Sequence, residues 1–142
     1  SSSAASDVYK RQILLSLASA LQGVGNFVKA KEVVNKITNI NPNMMSAHKL
    51  LSGLLNYAND ETHLKDMLEL LKQKNLTDSQ KIDLYFAIAK AYEDLKFFDK
   101  SFLILLSSRI PSGISKSSLL NFFIGMNTPS PIKSATNLLF GL

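Results

Sequence analysis

Residues 14–42 read LLSLASALQGVGNFVKAKEVVNKITNINP, and this stretch decides the fold. Leu14, Leu17, Ala18 and Leu21 fall at i, i+3, i+4 and i+7, the spacing of one face of an α-helix. Gly25 interrupts the pattern and Asn26-Phe27 opens a second helix, in which Phe27, Ala30, Val34 and Ile37 again share a face. Asn39-Ile40-Asn41-Pro42 ends it, because proline has no N–H to donate and bends the residue before it out of the helical region. Ala18 and Ala30 stand where the two helices cross, and only short side chains let helix axes approach closely.

A second clear unit spans Ser79–Ser108. Tyr85, Ile88, Ala89 and Tyr92 form its first stripe, Leu95-Lys96 the turn, and Phe98-Asp99-Lys100-Ser101 the opening of its second helix. Thr77-Asp78 supplies an N-cap, with Gln80 or Lys81 in the first turn. Between the two units, Met44–Tyr57 and Glu61–Lys74 are expected as a further helix pair. Leu50, Leu51, Leu54 and Leu55 face inward on the first, and Leu64, Met67, Leu68 and Leu71 on the second, with Asn59-Asp60 at the turn and Asp60 as a cap. The three units start near Leu14, His48 and Tyr85, spacings of 34 and 37 residues. Helix pairs at this period, with small residues at the crossing and Asn-Pro at the close, resemble the tetratricopeptide repeat (TPR) family. The fold class implied is all-α, a TPR-like helical-hairpin solenoid of about three repeats and six helices, with a seventh short capping helix near 115–126. Such solenoids use the concave face of their first helices for extended peptides, and on that resemblance Lys49, Asn56 and Lys90 are the candidate peptide-binding residues, a lysine there suiting a peptide carboxylate.

The ends read differently. Ser2–Gln12, SSAASDVYKRQ, back-translates to a transposase sequencing adaptor, so residues 1–12 are expected as an adaptor-derived or disordered leader and the repeat domain as 13–108. On this reading the chain is a fragment of a longer one. Residues 109–142 contain Pro111, Pro129 and Pro131, are rich in Ser, Leu, Ile and Phe, and contain no acid. They read as a poorly specified tail, either a capping helix with flanking coil or out-of-frame translation.

Charge narrows the partners. The net charge is +5 over 142 residues, yet from Ile13 to Phe102 eleven lysines face ten acids. The excess sits at the ends, so the concentrated basic stripe that phosphate binding needs is missing and no nucleic-acid partner is expected. The apolar runs are too short for a membrane span, and without a signal-peptide layout the cytoplasm is the default location. With no cysteine there is neither a disulfide nor a thiolate site.

The candidate chemical motifs reduce to structural ones. Gly23-Val24-Gly25 has Val28 where a dinucleotide loop has its third glycine, and it follows a helix, so it is an inter-helix turn. Gly113-Ile114-Ser115-Lys116-Ser117 lacks the Gly-Lys pair of a phosphate loop. His48 and His63 show no triad or metal spacing and are expected as surface or partly packed histidines. Adjacent Glu93 and Asp94 point about 100° apart on a helix and cannot act as a carboxylate pair. Tyr85, Tyr92, Phe97, Phe98 and Phe102 are spaced as inter-helix core, not as a base-stacking platform. No catalytic residue, cofactor or metal is expected; the implied partner is a protein, a peptide or an attached catalytic domain.

A narrower resemblance lies in Ser46-Ala47-His48-Lys49-Leu50-Leu51-Ser52 and in Lys81-Ile82-Asp83-Leu84-Tyr85-Phe86-Ala87-Ile88-Ala89-Lys90-Ala91-Tyr92-Glu93-Asp94-Leu95. These runs resemble the repeat region of bacterial TPR–sulfotransferase fusions, in which the repeats precede a domain that takes sulfate from PAPS. The resemblance implies a non-catalytic arm. The family's Pro-Arg-Ser-Gly-Thr loop is absent, Asn127-Thr128-Pro129-Ser130 following Phe123–Met126 instead, so no PAPS-binding residue carries over.

Overall fold

The computed structural model describes residues 2–109, and all regular structure in it is helical: α1 Ser2–Gly23, α2 Phe27–Ile40, α3 Met45–Leu54, α4 Thr62–Leu71, α5 Asp78–Asp94 and α6 Phe98–Ser107. The tail beyond Arg109, including the expected capping helix near 115–126 and the Gly113–Ser117 motif, lies outside the described residues. Among the described residues no helix is long and apolar enough to cross a membrane.

Helices α1 and α2 form one antiparallel hairpin and α5 and α6 another. Helix α3 packs on α1, α2 and α5, and α4 packs on α5. Helices α3 and α4, expected as a pair, make no extended contact with each other; each packs on α5 instead. Ala18, Val34, Ile37, Ala47 and Leu51 fill one core cluster; Met45, Tyr57, Leu64, Met67, Leu84, Ile88 and Ile104 dominate the other. Burying each such aliphatic side chain contributes roughly 1.5–3 kcal/mol. Ala18, Ala30 and Ala89 are all buried at the helix crossings, as their size requires.

The turns of the outer hairpins are the same object made twice. In the first, Val24, Gly25 and Asn26 N–H groups donate to the carbonyls of Ala20, Gln22 and Leu21; in the last, Leu95, Lys96 and Phe97 donate to Ala91, Glu93 and Tyr92. Every group in one set is 71 positions from its counterpart in the other, as 25 is from 96. This is the Schellman closure, which needs a left-handed residue: Gly25 at φ 80° and Lys96 at φ 61°. At the start of α5, Thr77 and Gln80 form a reciprocal capping box.

Three expectations change. First, α1 extends back through residues 2–12, so the disordered alternative for that stretch is replaced by helix. Residues 3–10 are exposed throughout, and the helix first meets the core around Leu14 and Ala18. Second, Phe97, Phe98 and Phe102 are not inter-helix core. They lie 49–63% exposed, because the buried face of α6 is that of Ser101, Leu103 and Ile104. Tyr92 is buried and Tyr85 half-buried. Third, α3 ends at Leu54, not Tyr57. Leu55 turns extended at ψ 156°, and the Asn56 side chain accepts the Ala58 N–H at 3.0 Å, a local turn that competes with helix. Asp60 Oδ1 accepts from the Thr62 N–H and hydroxyl at 2.9 and 2.6 Å, just ahead of α4.

Candidate functional site

A groove and a cleft stand out among the described residues. The first is a groove of about 760 Å³ across the first helices of the pairs, lined by Leu15, Ser16, Ser19 and Ala20 of α1, Ser46, Lys49 and Leu50 of α3, and Asp83 of α5. Lys49 lies in it as a half-exposed cation. Its ammonium donates to Asp83 Oδ1 at 3.1 Å and sits 5.3 Å from the centre of the Phe86 ring. An exposed pair of this kind is held weakly, so the ammonium can exchange its carboxylate for another.

The other two candidates do not join it. Lys90 is turned inward: its ammonium donates to the Leu55 carbonyl and to Asp94 Oδ2 (2.5 Å), and lies 5.4 Å from the Tyr57 ring centre. Asp94 Oδ2 also accepts the Tyr57 N–H at 3.2 Å. Lys90 therefore ties α5 to the end of α3. Asn56 is in the loop after α3, where its carbonyl closes the turn to Ala58. Of the three, the groove keeps Lys49 alone.

The second concavity, about 650 Å³, opens between α2 and α4, with Lys31, Asn35 and Thr38 on one wall and Asp66, Glu69 and Gln73 on the other. Its floor holds a hydrogen-bonded chain of three side chains from three segments. Tyr57 Oη is 2.7 Å from His63 Nδ1, His63 Nε2 is 3.0 Å from His48 Nδ1, and His48 Nε2 is 2.7 Å from the Pro42 carbonyl oxygen. The rings of His48 and His63 stack with centroids 5.2 Å apart, and Tyr57 and His63 stack at 6.0 Å.

With both imidazoles neutral, the carbonyl at the end sets the direction of each bond in the chain. Pro42 O can only accept, so His48 Nε2 carries its hydrogen and His48 Nδ1 is bare. His63 Nε2–H then donates to His48 Nδ1, and the Tyr57 hydroxyl donates to the bare His63 Nδ1. Burial, with the His48 ring beside it, pushes His63 down to about 4. Burial also pushes the Tyr57 hydroxyl up to about 12, with a contact to Ser52 acting against it and the charge of Asp94 adding to it. Among the described residues no group of three His, Asp or Glu is placed to hold a metal ion.

Sequence reading missed this chain because His48 and His63 are 15 positions apart on different helices. The one available hint is that a histidine stands on the apolar stripe of α3, in register with Leu14 and Tyr85. Compared with known proteins, the chain matches no family model, no curated protein and no solved structure.

Proposed function

We propose that residues 13–108 are a tetratricopeptide-type array of three helix pairs serving as a protein-interaction scaffold without catalysis of its own, with the groove beside Lys49 as its peptide site. The observation that carries this reading is the recurrence of one turn at a separation of 71 residues, two periods of the repeat, joined to a packing order in which each helix pair leans on the next. A stack of this kind lays its first helices side by side, and that is where the groove runs. The ligand that suits Lys49, Ser16 and Ser19 beside Leu15 and Leu50 is an extended peptide with a carboxylate and an apolar neighbour.

The test is fluorescence anisotropy with short labelled peptides ending in a free carboxylate and with their amidated counterparts. We expect the free acids to bind more tightly, and Lys49→Glu to weaken them by at least about tenfold while leaving the amides unchanged. Equal affinity for acid and amide, or an unaltered affinity in Lys49→Glu, would overturn the assignment.

The run Lys81–Leu95, nearly all of it within α5, supports a second reading: the array is the non-catalytic arm of a PAPS-dependent sulfotransferase. Sequencing the source DNA beyond Phe102 decides it, since that reading requires a Pro-Arg-Ser-Gly-Thr loop in frame downstream.

A further inference from the structure

Helices α1, α3 and α5 permit a comparison of the same two positions in three settings. Ile13 and Leu17 of α1 correspond to Ala47 and Leu51 of α3, 34 residues on, and these to Leu84 and Ile88 of α5, another 37 on. Ala47 and Leu51 are 0% and 6% exposed and Leu84 and Ile88 are both fully buried, whereas Ile13 and Leu17 are 50% and 46% exposed. The difference lies in what each helix leans on. Ala47 and Leu51 share a core cluster with Val34 and Ile37 of α2, and Leu84 and Ile88 share one with Leu64 and Met67 of α4. Among the described residues no helix takes that place against α1, and its face stays bare from Ile13 through Leu17 to the exposed Val24.

The other end of the array shows the complement. Helix α6 packs on α5 through Ser101, Leu103 and Ile104. Phe98, Phe102 and Leu105, at i, i+4 and i+7, share a different face. Leu105 stands 71 positions beyond Val34, the residue with which α2 covers α3, and is only half-buried, while Phe98 and Phe102 beside it are exposed.

We propose that a second copy of this chain supplies the covering helix: α6 of one copy seats Phe98, Phe102 and Leu105 on Ile13 and Leu17 of the next. The contact repeats between copies what α2 does on α3 and α4 does on α5. One occupant accounts for both bare faces, where any other partner accounts for one. No charge opposes it, since residues 12–28 and 101–108 contain no Asp, Glu, Lys or Arg. The two faces belong to α1 and α6, which make no extended contact with each other, so the association is head to tail. A dimer still presents one free α1 face and one free α6 face, and assembly continues as concentration rises. The proposal uses the register of the three pairs and neither Lys49 nor its groove, so its failure leaves the peptide site standing.

The experiment is sedimentation equilibrium of the full chain from about 10 μM to about 1 mM. We expect the average mass to rise from one copy to beyond two over that range. Leu17→Glu on the α1 face and Phe102→Glu on the α6 face should each weaken association at least about tenfold, because each sets a charge against apolar surface. Both positions are exposed, so the thermal midpoint should not move. Mixed in equal amounts, the two variants should form a dimer and stop there, the first contributing an intact α6 and the second an intact α1. A wild type that stays single at about 1 mM, variants that associate like the wild type, or a mixture that remains monomeric overturns the proposal. Occupation of the α6 face by residues 110–142 of the same chain, or by an unrelated protein, would give the first of these. Should either variant not fold, Leu17→Gln or Phe102→Gln takes its place and the same results are required.

Discussion

Lys96 holds a φ of 61°, in the left-handed region that costs a residue with a Cβ roughly 1 kcal/mol and costs glycine almost nothing. Its counterpart Gly25 meets the same geometrical demand at φ 80°. The two positions make the same hydrogen bonds to the same relative carbonyls, so they form a natural pair of reciprocal substitutions. Lys96→Gly should raise stability by about 0.5–1 kcal/mol, while Gly25→Ala should lower it by about 1 kcal/mol. No atom lies within 4 Å of a Cβ added at Gly25, so the loss comes from backbone strain alone. Urea denaturation followed by circular dichroism measures both. A Lys96→Gly protein no more stable than wild type would mean that the lysine side chain contributes a contact that offsets its strain.

At the scale of the element, what the sequence discloses is the face and not the path. The periodicity of α1, α2 and α5 placed Ala18, Val34, Ile37, Ile88 and Ala89 in the core, but Leu17 and Phe27, read on the same stripes, are 46% and 58% exposed because they lie at the edge of the buried face. The N-cap at Thr77-Asp78 was equally legible, while the choice of Gln80 over Lys81 as its reciprocal partner needed the structure. The stop of α3 at Leu54 was not, because Leu55 continues the apolar stripe and only the tertiary partners of the next residues explain the break. Lys90 is one of those partners, reaching across from α5 to the Leu55 carbonyl, which is why a residue that looked available for a ligand is occupied. Phe98 and Phe102 misled for the opposite reason: they repeat correctly, on a face that α5 does not cover. We expect Lys90→Met to lower stability by about 1–2 kcal/mol, since it strips the donor from a carbonyl past the helix end and the partner from Asp94. Peptide affinity at the Lys49 groove should stay within about twofold of wild type. A ten-fold loss of affinity with unchanged urea midpoint would restore Lys90 to the binding face.

For the whole molecule, the buried titratable groups set the pH range over which the fold is most stable. His63 has its pKa lowered from 6.5 to about 4 in the folded chain, so the unfolded chain binds the proton more readily. Its contribution is fully present above pH 6.5, declines as the pH falls through the interval from 6.5 to about 4, and is gone below it. At ~1.4 kcal/mol per pH unit the fully buried limit would be ~3 kcal/mol, and partial solvent access to the ring reduces this to about 1–2 kcal/mol. Tyr57, Tyr85 and Tyr92 act at the other end: burial raises all three above 10, so the unfolded chain gives up these protons first and stability falls as the pH rises past 10. Asp60 has a lowered pKa and loses its share only below 3.8, too far down to be confused with the histidine. The thermal midpoint should therefore be flat between about pH 6.5 and 10 and fall on both sides. The acid limb should be absent in His48→Gln/His63→Gln down to about pH 4, and the alkaline limb should be unchanged in it. A midpoint that drops equally in both proteins between pH 6.5 and 4 would assign the acid sensitivity to carboxylates elsewhere and remove His63 from the account.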